Sequence, residues 1–127
     1  MDEVTELARC LTTRGSRIVF AESCTAGLVS ARLATVPGIS ANLCGSWVTY
    51  REECKQAWLG VPAELLREKS AVSAEVTARM ACESLRRTTS AHYSAAVTGH
   101  LGPDAPSDLD GVCFLAVAGR DRGAIDV

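Results

Sequence analysis

The sequence has no apolar run long enough to cross a bilayer. Its longest uninterrupted one, Gly111 to Gly119, is about half the length a spanning helix needs. It also lacks a basic, apolar leader: the chain opens Met1-Asp2-Glu3-Val4, which excludes a recognisable secretion signal and makes the cytoplasm the expected compartment. Like charges nowhere form a block, and thirteen Lys and Arg against fifteen Asp and Glu leave a net charge of −2. Neither nucleic acid nor an anionic membrane surface is therefore an expected partner. No C-x-x-C pair exists among Cys10, Cys24, Cys44, Cys54, Cys82 and Cys113, so free, mostly buried thiols are expected and no metal. His92 and His100 do not stand at ligand spacing from any cysteine pair, which removes the usual zinc patterns. Absent too are G-x-x-x-x-G-K-[ST], G-x-G-x-x-G and G-x-S-x-G, hence the triphosphate loop, the dinucleotide fingerprint and the hydrolase elbow.

What remains is an ordinary composition, 47% apolar over 127 residues, enough for one domain with its own core. Val4, Leu7, Ala8 and Leu11 mark an amphipathic helix ending near Gly15. The short run from Arg17 to Ala21 predicts a buried strand. After it Ser23 or Thr25 can cap a helix built on Leu28 to Ala34 and stopped by Pro37-Gly38. Leu43 to Tyr50 predicts a second strand, Arg51 to Trp58 a short helix ended by Gly60 and Pro62. Ser73 opens a long helix running to Arg86-Arg87, whose basic end suits the helix dipole. Tyr93 to Thr98 and Val112 to Ala118 supply two further strands around a turn-rich loop. Helices alternating with strands imply an α/β fold with helices over a largely parallel sheet, and ligands outside the carboxyl ends of strands.

Three loops sit at such ends, after Ala21, Tyr50 and Thr98. Ser23 stands just before a helix start, where backbone amides and the dipole favour an anion or a developing oxyanion, though capping alone also explains it. A serine needs a base, and the chain offers two lysines and two histidines. Lys69 lies between Glu68 and Ser70 in a charged stretch, whereas Lys55 follows Tyr50 by five positions with Ala57 and Trp58 nearby. Lys55 is the better base, a surface ion pair with Glu52 or Glu53 being the other reading. Cys24 with His100 forms a second nucleophile and base combination.

Ala21-Glu22-Ser23-Cys24-Thr25-Ala26-Gly27, Thr49-Tyr50 with Lys55, Ala71-Val72-Ser73, and Thr98-Gly99-His100-Leu101-Gly102-Pro103 resemble the CinA C-terminal domain family in order and spacing. The resemblance implies a three-layer α/β/α sandwich around a mixed, mostly parallel sheet, homo-oligomers, and no metal or cofactor. It implies an amidohydrolase that converts nicotinamide mononucleotide to nicotinic acid mononucleotide and ammonia in pyridine nucleotide salvage. By motif position Ser23 looks like the nucleophile, Lys55 its base and Tyr50 a hydroxyl that relays or orients the proton. Thr25, Gly27, Thr98, Gly99 and Gly102 suit a nucleotide phosphate. Where the family shows two glycines this chain has Ala26 before Gly27, Glu52 replaces an asparagine, and His100 enters the third loop. A carboxylate near Lys55 is expected to favour its charged form. Residues 1–127 are expected to form a single stand-alone domain without the family's closing strand and helix. A weakened paralogue that binds a nucleotide or a protein partner is the alternative.

Overall fold

Asp2 accepts the Thr5 amide at 2.9 Å and so starts α1 (Glu3–Arg14), which Gly15 ends in the left-handed conformation at φ 62°, as a C-terminal glycine does. The computed structural model describes residues 2–127. After α1 come β1 (Ile18–Glu22), α2 (Leu28–Leu33), a single 3₁₀ turn at Ile39–Ala41, and β2 (Leu43–Val48). Three helices follow, α3 (Glu52–Leu59), α4 (Ala63–Lys69) and α5 (Ala74–Arg87), then β3 (Tyr93–Gly99), β4 (Cys113–Asp121) and β5 (Ala124–Asp126).

The strands form one mixed sheet in the order β2-β1-β3-β4-β5. β1 is parallel to both β2 and β3, while β4 is antiparallel to β3 and to β5. All five residues of β1 are buried, which is why this strand reads, up to Glu22, as a continuous apolar run rather than an alternation. Its Val19 and Ala21 pack with Leu59, Met80 and Leu85 of α3 and α5. Ile18 and Phe20 face Ala8, Leu11 and Leu33 of α1 and α2. The sheet is thus the middle of three layers, and each large apolar side chain so buried contributes roughly 1.5–3 kcal/mol. Because β1 lies between β2 and β3 in the sheet, the chain departs to one side after β1 and returns to the other with β3. A crevice therefore opens at their carboxyl ends.

Two elements lie beyond the sequence expectation. Gly60 and Pro62 do end α3, but Pro62 also occupies the position before α4, where its fixed φ prepares a new helix. Past Ala118, β4 continues to Asp121 and turns through Arg122 (φ 52°) and Gly123 (φ 82°), the two positive φ values of a tight hairpin, into β5. Ile125 of β5 packs against the α5-side core. Arg120 ties this hairpin to the end of α5 by donating to the carbonyls of Leu85, Thr88 and Ala91. The cysteines are free as expected but not buried: Cys10, Cys24, Cys54 and Cys82 are half-buried, and Cys44 and Cys113 exposed. None of the described helices is long and apolar enough to cross a membrane.

Candidate active site

At the end of β1 the pleat sends successive side chains to opposite faces. Glu22 goes to the α2 side and Ser23 to the α3 side, and the site follows from this split. The Glu22 carboxylate is fully buried. It accepts from the hydroxyls of Thr25 (2.8 Å), Ser30 (2.9 Å) and Ser46 (2.7 Å) and from the amides of Val29 (2.8 Å) and Ser30 (3.2 Å). Burial pushes its pKa up, but these donors outweigh burial and hold the acid below its ordinary value, as hydrogen bonds to the charged form do. The first amides of α2 are therefore capped by Glu22. Neither Ser23 nor Thr25 caps them; Gly27 occupies the cap position and supplies no side chain. Glu22 is the residue that sequence reasoning passed over. Its signal was an acid ending an otherwise apolar strand.

Lys55 lies one turn before Leu59 on the buried face of α3 and is 1% exposed. Its Nζ sits 2.8 Å from Ser23 Oγ, 2.7 Å from the carbonyl of Thr49 and 3.3 Å from that of Tyr50. Two carbonyls can only accept, so they hold two N–H bonds of the amine and turn its third position toward Ser23. In the ammonium that position is a proton aimed at Oγ; in the neutral amine it is a lone pair aimed at the serine proton. Burial, the largest effect, lowers the Lys55 pKa, and the opposing pull of Glu52 does not offset it. Glu52 does favour the charged form, as expected, but desolvation outweighs it and the net shift is downward. Lys69 is exposed, as its charged surroundings predict.

Ser23, Tyr50, Lys55, Gly99 and Gly102 line one cavity of about 330 Å³, joined by His100. Tyr50 reaches Lys55 through its backbone carbonyl, and the residue is 65% exposed rather than buried against the dyad. Thr25, Gly27 and Thr98 are not brought to the cavity. Thr25 is spent on Glu22. Thr98, fully buried, is 2.8 Å from the hydroxyl of Thr77 on α5, which itself donates to the Ser73 carbonyl; Thr98 is therefore the donor between them. Gly99 leaves room for two sulfurs, since a Cβ there would stand 2.7 Å from Cys113 Sγ and 3.0 Å from Cys24 Sγ and would force one of them to shift. The Cys24 thiol is pushed up by burial and by Cys113 beside it, so the thiolate that a Cys24 nucleophile requires is disfavoured. No group of three metal-ligating side chains occurs among the described residues.

Ala26 adopts φ 52° in the turn between β1 and α2, a left-handed conformation that costs a non-glycine residue roughly 1–2 kcal/mol. Ala26→Gly is expected to raise the unfolding free energy by about 1 kcal/mol, read as a higher urea midpoint at unchanged slope. An unchanged or lower midpoint would show that the turn carries no such strain.

The model for the family described as CinA C-terminal domain matches residues 2–126. A CinA-like protein from Geobacter sulfurreducens is 43% identical over 118 residues, 91% of this chain and 28% of its own length. One from Anaeromyxobacter is 45% identical over 121 residues, 93% of this chain and 29% of its own length. This chain thus spans less than a third of these relatives. Among solved structures, the competence/damage inducible protein CihA from Agrobacterium tumefaciens superposes with a TM-score of 0.87 at 34% identity, covering 98% of this chain and 78% of that one. The competence damage-inducible protein A from Klebsiella pneumoniae gives 0.85 at 34% identity, covering 97% and 76%.

Proposed function

The chain belongs to the CinA C-terminal domain family, and from that premise we propose that it is a serine amidohydrolase that deamidates nicotinamide mononucleotide. The observation that carries the reading is the 2.8 Å contact between Lys55 Nζ and Ser23 Oγ, buried and opening onto a cavity at the carboxyl ends of β1, β2 and β3. Neutral Lys55 takes the Ser23 proton as Oγ attacks the carboxamide carbon, and the ammonium so formed returns that proton to the departing nitrogen. Ammonia leaves an acyl-Ser23, water enters with Lys55 again as base, and the acid is released. Since the Val29 and Ser30 amides are spent on Glu22, the oxyanion falls to the turn amides at Cys24 and Thr25. The phosphate falls to the loop from Gly99 to Gly102 with His100 beside it. Tyr50, at the mouth of the cavity, bears on the substrate more than on the proton. A cytoplasmic location and homo-oligomeric assembly belong to the same reading.

The test is ammonia release from nicotinamide mononucleotide, with free nicotinamide as a control amide. Turnover of the nucleotide with little or none of nicotinamide is expected, because remote binding energy from ribose and phosphate assists the chemical step. A folded protein that binds the nucleotide without releasing ammonia would overturn the reading in favour of a binding protein.

A further inference from the structure

Gly99 and Cys113 are directly paired across β3 and β4, and Cys24 stands in the turn after β1. Both sulfurs converge on the space above Gly99, Cys113 Sγ at 2.7 Å and Cys24 Sγ at 3.0 Å from where its Cβ would be. Since the two distances share one point, the sulfurs are no further apart than their sum. In the sequence these cysteines are 89 positions apart by number and form no motif; only the fold brings them together, and the glycine at 99 leaves the room.

We propose that Cys24 and Cys113 are a peroxide-sensitive thiol pair that closes into a disulfide over Gly99, tying the turn that carries Ser23 to the start of β4. The two thiols differ in a way that assigns the steps. Cys113 is exposed, whereas Cys24 is half-buried, so Cys113 meets the oxidant first. Having given its proton to solvent, its sulfur attacks one oxygen of hydrogen peroxide and the O–O bond breaks, giving a sulfenic acid on Cys113 and a hydroxide that takes up that proton as one water. The sulfur of Cys24 then attacks the Cys113 sulfur; the S–S bond forms, the S–O bond breaks, and the hydroxyl leaves as water with the Cys24 proton. Two thiols are oxidised by two electrons and one peroxide becomes two waters. Cys24 also lines the cavity next to Ser23, so drawing its sulfur into a bond moves the turn on which Ser23 meets Lys55. The consequence for turnover rests on the amidase reading; the bond itself does not.

The experiment treats the reduced, folded chain with hydrogen peroxide, alkylates the remaining thiols, and maps the cysteines by mass spectrometry. Expected is the loss of two of the six alkylatable thiols, a decrease of about 2 Da for the bond, linked peptides containing Cys24 and Cys113, and full reversal by dithiothreitol. In Cys113→Ser, Cys24 is expected to remain alkylatable at the same peroxide dose, and no linked peptide forms. Retention of both thiols at a dose that oxidises exposed Cys44 would overturn the inference, as would linkage of either to a different cysteine. If the bond forms in a protein that releases no ammonia from the nucleotide, the thiol pair stands and the amidase reading falls. If ammonia release is present and no bond forms, the reverse holds.

Discussion

Lys55→Met is expected to reduce amide turnover by about 10³-fold or more, and Ser23→Ala by at least as much, while the two together cost little beyond either alone. General-base assistance contributes about 10²–10⁴ in rate, and residues acting as one unit are strongly non-additive. Methionine is the informative replacement because it fills the space of the lysine stem without a charge or donor. It leaves the carbonyls of Thr49 and Tyr50 without the amine they hold, so a circular dichroism melt accompanies the rate measurement. The same lysine sets a pH dependence. Its folded pKa lies below the ordinary value of 10.5 because burial disfavours the ammonium. Over the window between the two values the unfolded chain binds more protons, so stability and the fraction of active neutral amine both rise with pH. In Lys55→Met that part of the stability slope is expected to vanish. A wild-type profile flat across this window, or a variant that keeps it, would assign the slope elsewhere.

The second large effect is expected at Glu22, a residue outside the dyad. Glu22→Ala removes the shared acceptor of three hydroxyls and two amides at once. Each buried donor left without a partner costs about 1–3 kcal/mol, some of it recovered by water, so a loss of about 3–5 kcal/mol is expected in urea unfolding. Glu22→Gln keeps the shape but offers one acceptor oxygen and brings two donors of its own, and is expected to cost less in stability. Its turn is still displaced, so kcat is expected to fall more than KM changes, the signature of a positioning residue. A loss confined to Glu22→Ala, with Glu22→Gln as stable and as active as the wild type, would make Glu22 a volume filler. Because its folded pKa is held below the ordinary 4.5, the stability it contributes is complete above that value and is lost as pH falls through the lower one.

The parts legible in the sequence are those whose signal is local. The stripe of Val4, Leu7, Ala8 and Leu11, the Gly15 stop, the Ser73 cap and the continuous apolar run of β1 each match an element within a residue or two. β5 was not legible because its three residues, Ala124–Asp126, carry no periodicity and exist only by pairing with β4. α4 was hidden by the breakers Gly60 and Pro62, which end one helix and begin another. At the site, Lys55 could be preferred to Lys69, since only two lysines exist and one lies in a charged stretch; Ser23 stood out by its place after β1, with its role as nucleophile implied by the family resemblance. The destinations of Thr25 and Thr98 could not be read, because each hydroxyl is claimed by a neighbour, Glu22 or Thr77, that spacing alone does not bring to it. Nor could spacing weigh Glu52 against burial at Lys55. That balance depends on how completely α3 covers the amine.

The buried Lys55 amine makes Ser23 a nucleophile on this reading, and a probe that assumes no substrate examines this. Intact-mass measurement of adduct formation with a serine-directed fluorophosphonate, followed across pH in the wild type and in Lys55→Met, reads that claim. A single adduct mapped to Ser23 is expected, forming faster as pH rises through the lowered Lys55 pKa and levelling off below 10.5, and lost or slowed by about 10²-fold or more in the variant. An adduct at another residue, or labelling of Ser23 at the same rate with and without the lysine, would contradict it.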